Sequence, residues 1–252
     1  MAFSEFKNLN EFKNASGYTI DGIWYPRVTK IVEIKAKPAL YRYYGEATSF
    51  EAAKAATENS AREGTLIHET LQKFLIGENP EISPAIAPAV TEAMNFIKKY
   101  DIKVDPLYIE KRICHTEHRY AGTIDSLALI NGRVGVLDIK TSQAVYRDYN
   151  LQTSAYMAVL SHEIKNLETR WIFRVDQIKT CFNCGATLRP KGGRDKIRSR
   201  FGGCAENNHA WSELTGVCEL KEIPEWKDDF DAFLGAKKLW EWENDYWLKM
   251  MN

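Results

Sequence analysis

No stretch of the 252-residue chain approaches the roughly 20 consecutive apolar residues that a membrane-spanning helix needs. The opening MAFSEFKNLNEFKN carries two glutamates and has no apolar run of the kind a secretory signal contains. The expected location is therefore cytoplasmic, with no membrane partner. Charge of one sign is also missing: Lys+Arg and Asp+Glu both total 34, so any nucleic-acid footprint has to be local. Cysteines are few and odd in number, five in all, and two of them form Cys181-x-x-Cys184. In a reducing compartment that spacing points to a metal before a disulfide. No internal repeat is visible.

What is present is ordinary globular composition, 44% hydrophobic and 27% charged, enough for a core of normal size without staples. Residues 18–36 read as an N-terminal hairpin, followed by a short helix near KPALYRYYG. Ser49 to Ile76 reads as helix, broken or kinked near Gly64, with Ile67, Leu71, Phe74 and Leu75 on one face. After the Pro-rich GENPEISPAIAP, helix resumes at about 90–100. Strands are expected at about 107–117, 121–130 and 133–141, then a helix at 149–163 and a strand at 169–178. Strand character returns at 216–222, and an aromatic-rich helix covers 227–250. This order predicts an α/β fold with a central mixed β-sheet flanked by helices.

The chemistry concentrates on one hairpin. Asn131-Gly132 between two alternating apolar runs is a strong two-residue turn signal. In that register Leu129 meets Val134, Leu127 meets Val136, Asp125 meets Asp138, and Thr123 meets Lys140. An apolar face thus runs into two carboxylates and an amine. Two carboxylates about 5 Å apart at an effective dielectric near 20 repel by roughly 3 kcal/mol, so a positive charge must sit between them. Lys140 could hold one of them, as a simple salt bridge at the end of a sheet. A hard divalent cation could hold both. Paired carboxylates on Mg²⁺ or Mn²⁺ suit phosphodiester hydrolysis, and a lysine two residues along projects from the same face to steady the attacking water or the developing charge.

Four segments in this order, GTLIHE (64–69), YAGTIDSL (120–127), VLDIKTS (136–142) and LQTSAY (151–156), resemble the PD-(D/E)XK nucleases and, within them, the RecB-like exonuclease branch. The opening YPRVTKIVEIKAKPALYRYY looks like that of phage-type and mitochondrial-type members, and the resemblance covers about residues 24–178. It implies a restriction-endonuclease-like core, with residues 1–252 forming a single nuclease domain. Asp125 and Asp138 are then the implied metal ligands, with the Ile139 carbonyl beside them, and Lys140 the implied catalytic lysine. His68 is implied as a metal ligand or phosphate contact, and Gln152 and Tyr156, four apart on one helical face, as orienting or DNA-touching groups. Glu110, in YIEKRI on the first of the three strands, matches a frequent acidic position of the family.

Residues 179–215 break the pattern: rich in Gly, Arg, Lys and Cys, poor in aliphatics, and placed as an insert between two strands that would otherwise form a hairpin. Cys181-x-x-Cys184-Gly has the shape of a zinc knuckle. Nineteen residues separate Cys184 from Cys204, and four separate Cys204 from His209. These four make a candidate structural zinc site, with Cys218 on the returning strand as the rival fourth ligand. A metal clip is physically sensible where aliphatic burial is scarce. Some RecB-like exonucleases instead carry an iron–sulfur cluster on one far N-terminal and three C-terminal cysteines; here the first cysteine is Cys114, inside a core strand, which departs from that pattern. Between the halves of the insert, Arg189, Lys191, Arg194, Lys196, Arg198 and Arg200 form a basic loop that is either simply solvated or a phosphate clamp.

The expected function is a metal-dependent DNA exonuclease acting at single-stranded or duplex ends. A structure-specific endonuclease and a catalytically silent DNA-binding or scaffolding subunit are the alternatives. The last is disfavoured because degenerate members of the fold usually lose the Asp or Lys, which this chain retains.

Overall fold

The computed structural model describes residues 6–199, 203–205 and 208–251. Helix α1 (Leu9–Ser16), capped by the Asn8 side chain, leads into the hairpin β1 (Gly17–Ile20) and β2 (Ile23–Pro26). That hairpin ends at Pro26, and α2 (Val28–Val32) takes over residues expected to be strand, because Val28, Ile31 and Val32 form an apolar helical face against the core. Helix α3 (Pro38–Glu46) follows.

The next helix, α4 (Phe50–Leu75), is one 26-residue helix started by the Ser49 side chain on the Ala52 N–H at 3.1 Å. It is not broken at Gly64. A Cβ at that position would stand 2.7 Å from Thr141 Oγ1, so the glycine lets α4 pass close to Thr141. Helix α5 (Ala87–Lys99) completes this side.

The strands are β3 (Lys103–Val104), β4 (Lys111–His115), β5 (Tyr120–Ile124), β6 (Ser126–Ile130), β7 (Arg133–Lys140), β8 (Leu167–Thr180), β9 (Thr187–Lys191), β10 (Arg194–Arg198) and β11 (Thr215–Glu222). Three helices complete the order: α6 (Asp148–Leu160) between β7 and β8, then α7 (Lys227–Glu243) and α8 (Asp245–Lys249). The strand expected at 107–117 is shorter, since Pro106–Tyr108 forms a 3-10 turn.

The central sheet runs β10-β9-β8-β7-β6-β3, with β11 also paired to β8. It is mixed: β7 and β8 are parallel, across the α6 connection, while β6 and β11 run antiparallel to their neighbours. Two apolar layers sandwich it. Ile67 and Leu71 of α4 and Val90, Ala93 and Ile97 of α5 pack on Leu137, Ile139, Trp171 and Phe173. On the opposite face, Ala155, Tyr156 and Val159 of α6 pack with Leu127, Val136, Tyr120 and Phe233. Arg170 ties α6 to the segment after β11: wholly buried, it donates to the carbonyls of Asn150, Ile223 and Glu225 and pairs with Asp229.

The Asn131-Gly132 turn forms as expected, with φ of 50° and 78° at its two residues, and the ladder keeps its register from Ile130–Arg133 to Ser126–Leu137. There it stops. The run 121–130 is two strands, not one: β5 pairs with β4 in a separate two-stranded sheet, and Asp125 is the bend between them. Thr123 pairs with Arg112 rather than with Lys140. Among the described residues, no helix is long and apolar enough to cross a membrane.

Candidate active site and metal centre

Alternation along β7 decides what faces what. Val136, Asp138 and Lys140 share one face, under α6, while Leu137 and Ile139 pack into the α4–α5 layer. Asp138 is 1% exposed. Lys140 Nζ lies 2.7 Å from its Oδ2 and donates to Oδ1 at 2.9 Å. From α6, Gln152 Nε2 reaches the same Oδ1 at 3.2 Å and the Tyr156 hydroxyl at 3.0 Å, so its one amide bridges the carboxylate and the ring. Tyr156 is buried, and Gly122 makes room for it: a Cβ there would be 2.5 Å from its ring.

Asp125 comes to this group by another route than cross-strand pairing. Released from the ladder at the bend, its Oδ2 accepts the Ile139 N–H at 2.6 Å. The backbone between Asp138 and Lys140 thus holds the second carboxylate. His68, in the middle of α4, has its Nδ1 3.9 Å from the same Oδ2. Glu110 is not on a strand; it precedes β4 with a φ of 49°, gives its N–H to the Asp125 carbonyl at 3.2 Å, and accepts from Gln72.

The electrostatics follow from burial. Burial pushes the carboxyls of Asp125 and Asp138 up, Asp138 to about 6, with Asp125 adding to the push on Asp138 and Lys140 opposing it on both. Burial works against the Lys140 charge as well, but the two aspartates outweigh it and its value is raised. Burial, then Lys140, lower His68. Burial, then Asp125, raise Glu110. One ammonium therefore serves two acids, the buried Asp138 and the part-buried Asp125, and Asp138 Oδ2 has no partner besides that ammonium among the described residues.

The basic segment is not a loop. It is the hairpin β9–β10, attached to the sheet where β7 ends. Arg189 Nε pairs with the buried Asp176 at 2.6 Å, and its Nη2 donates to the Thr141 carbonyl at 2.9 Å. Lys191 donates to that same carbonyl, and burial, then Arg189, bring its value down to about 8. Arg194 and Lys196 line a cavity of about 880 Å³ together with His68, Lys140 and Gln152. Arg198 is exposed on β10, and Arg200 lies outside the described residues.

Four residues of metal-ligand type gather at the base of that hairpin. The ligand atoms of Cys181, Cys184, Cys204 and His209 all lie within 4.8 Å of one another, and this group could hold a metal ion. Cys181 Sγ is 3.7 Å from Cys204 Sγ, and Cys184 Sγ is 3.4 Å from His209 Nδ1. The knuckle closes through the Gly185 N–H on the Cys181 carbonyl at 2.9 Å, with Gly185 at a φ of 68°. Burial raises Cys181, but the Cys184 and Asn183 backbones and His209 outweigh it and hold the thiol near 6. Its hydrogen bond with Cys184, then burial, push Cys204 up to about 11, so taking up a metal would release protons. Cys218 is not part of the group: it faces Val175 across β11–β8 and packs on the α4–α5 layer. Asp125, Asp138 and His68 do not form a three-ligand group of that tightness among the described residues.

No local pattern singles out Thr141, whose carbonyl takes both Arg189 and Lys191, or Tyr149 and Tyr43, which line the same cavity as Lys140. Tyr149 lies under Lys140, its ring centre 5.1 Å from Nζ, one turn before Gln152. Asp176 had a usable signal: an acid among the apolar residues of a buried strand.

No protein-family model and no curated protein matches the chain. Among solved structures, one described as the crystal structure of SSO0001 is similar at a TM-score of 0.36 and 16% identity, over 84% of this chain and 72% of that one.

Proposed function

We propose that this protein is a metal-dependent DNA exonuclease whose centre is Asp125, Asp138 and Lys140, on a restriction-endonuclease-like core of the RecB-like kind. The observation that carries the reading is a pair of neighbouring carboxylates, the buried Asp138 and the part-buried Asp125, that share one lysine. Two acids on one ammonium leave an uncompensated negative charge, which is costly to hold away from water. A hard divalent cation fits that deficit.

Asp125 and Asp138 would hold Mg²⁺ or Mn²⁺, with the Ile139 carbonyl alongside and His68 at the edge as ligand or phosphate contact. When bound, the ion supplies charge neutralisation at the scissile phosphate and a more acidic water. The residues do the rest. Lys140, no longer needed to balance two carboxylates, is free to steady charge on the phosphate oxygens or orient the attacking water. Gln152 and Tyr156 hold the Asp138 carboxylate in one orientation. Glu110 sits behind Asp125 as an outer acid. The Cys181, Cys184, Cys204 and His209 group is assigned to a structural Zn²⁺, since sulfur and imidazole ligands in a closed set of four suit that ion.

The test uses linear and closed-circular DNA, single- and double-stranded and labelled at either end, with Mg²⁺, with Mn²⁺ and with neither. The expected result is metal-dependent release of nucleotides from linear substrate only, abolished by Lys140→Ala. Cutting of closed circles sinks the exonuclease assignment, and absence of cleavage with both metals sinks the nuclease.

A further inference from the structure

Thr141 follows the catalytic lysine directly, and its carbonyl accepts both Arg189 and Lys191. Those two cations are therefore committed to fastening β9 against the end of β7, and Arg189 is further tied to Asp176. The cations left to meet a ligand are Arg194 and Lys196 of β10, with Lys37 and Arg147 lining the same cavity. Tyr43, Tyr146 and Tyr149 line it too. Cations interleaved with aromatic faces around one cavity are the chemistry of a nucleic-acid strand, phosphates on the first and bases on the second.

The hairpin also closes the cavity. Its tip lies on α4, where the Gly192 N–H donates to Glu63 Oε1 at 2.8 Å and a Cβ would run into the Ala56 carbonyl. Beyond the tip, the Arg194 guanidinium stacks over the Tyr43 ring at 4.1 Å, so the insert and α3 meet across the cleft. Little apolar burial holds this hairpin: Leu188 is its one buried hydrophobic residue, and β9 pairs with β8 only at Lys179 and Thr180. Both of its ends run into the Cys/His group, with Cys181 and Cys184 before β9 and Cys204 and His209 after β10.

We infer that the β9–β10 hairpin is a jaw that closes on α3 through Arg194 and Tyr43 to hold a nucleic-acid strand over the active centre, and that the Cys/His metal clip at its base keeps the jaw in place. The inference rests on the nuclease reading for the identity of the strand. It assigns Arg194 and Lys196 to substrate phosphates, Arg189 and Lys191 to anchoring, and the metal clip to substrate affinity.

The experiment measures anisotropy of a labelled single-stranded DNA of about 20 nucleotides on the full chain, across a salt series and without Mg²⁺ or Mn²⁺, alongside bound zinc by chelator release. Arg194→Ala should weaken binding about tenfold and flatten the salt slope by about 0.7, the share of one phosphate contact on a single strand, a change that general loosening of the fold does not produce. Tyr43→Ala should weaken binding while Tyr43→Phe retains it. Cys184→Ser should lose the zinc and bind at least as poorly as Arg194→Ala. Unchanged affinity and slope in Arg194→Ala overturn the jaw; full affinity in zinc-free Cys184→Ser overturns the role of the clip. If Cys184→Ser does not fold, the Arg194 and Tyr43 variants still decide the jaw, and slow zinc removal from the folded wild type decides the clip. A wild type that cuts DNA while its Arg194 variant binds normally refutes the jaw alone; a wild type that neither binds nor cuts removes the nuclease reading and the jaw with it.

Discussion

The Asp125 carboxylate accepts its hydrogen bond from the N–H of Ile139, the residue between Asp138 and Lys140. One candidate ligand is thus fixed by the backbone that carries the other two groups. Asp125→Asn keeps an acceptor for that N–H and removes the charge, whereas Asp125→Ala removes both. Both variants should lose at least about 100-fold in cleavage, since each deletes charge at the metal. Only Asp125→Ala leaves a buried donor unpaired, at a cost of about 1–3 kcal/mol, or roughly 2–4 °C in melting temperature per kcal/mol for a chain of this size. Equal melting temperatures for the two would show that the bond does not position the carboxylate.

Metal uptake should report the ionisation of Asp138. Its carboxyl sits near 6 because burial and Asp125 penalise the charged form. A cation competes with that proton, so the apparent Mn²⁺ affinity should be flat above about pH 7 and fall about tenfold per pH unit well below 6. Calorimetric titrations between pH 5 and 8 check this. An affinity independent of pH down to 5 would place the metal elsewhere.

Arg170 should be the costliest single side chain to remove outside the site. Replacing it with methionine strands Asp229 and the carbonyls of Asn150, Ile223 and Glu225. Breaking a buried ion pair from one side costs about 3–5 kcal/mol. Urea unfolding of Arg170→Met should show a loss of that size with an unchanged denaturant slope; a loss under about 1 kcal/mol would mean those groups find other partners.

Gly192 and Gly193 form a matched pair at the hairpin tip. Both have positive φ, 64° and 76°, but a side chain meets α4 only at Gly192. Alanine at either site incurs about 1–2 kcal/mol of left-handed strain. Hydrogen exchange over residues 187–198 should therefore accelerate much more in Gly192→Ala than in Gly193→Ala, while the α4–α5 layer keeps its protection. Equal effects would mean that the tip does not rest on α4.

Legibility in the sequence followed the range of the interactions. Asn131-Gly132 was readable because the turn is made by its own two residues, and the ladder register followed from it. The shared face of Asp138 and Lys140 was readable from strand alternation alone. Asp125 was placed in the right neighbourhood by the wrong means: alternation carries no sign that a chain leaves one sheet and enters another between residues 124 and 126. Gly64 has two local meanings, a break or a close approach, and only Thr141, far along the chain, selects the second. Cys204 and His209 were legible as candidate ligands by spacing, whereas Cys218 shared the residue type but packs on an apolar layer. The contacts of Arg189, Lys191 and Arg194 join positions between 13 and 151 residues apart, beyond any local pattern.

The double acceptance at the Thr141 carbonyl bears on how such a chain could have been assembled or could be trimmed. By position the Cys/His segment looks removable, an addition spliced between two neighbouring antiparallel strands. Excising it and joining β8 directly to β11 would leave Asp176, 4% exposed, with only Arg174 at 3.8 Å, and would strip both donors from the residue next to Lys140. A shortened version would need new polar partners at Thr141 and Asp176 before it could work. The segment is thus part of the wall beside Lys140, and a shortened chain should be made by trimming the hairpin beyond Lys191, not by deleting the segment.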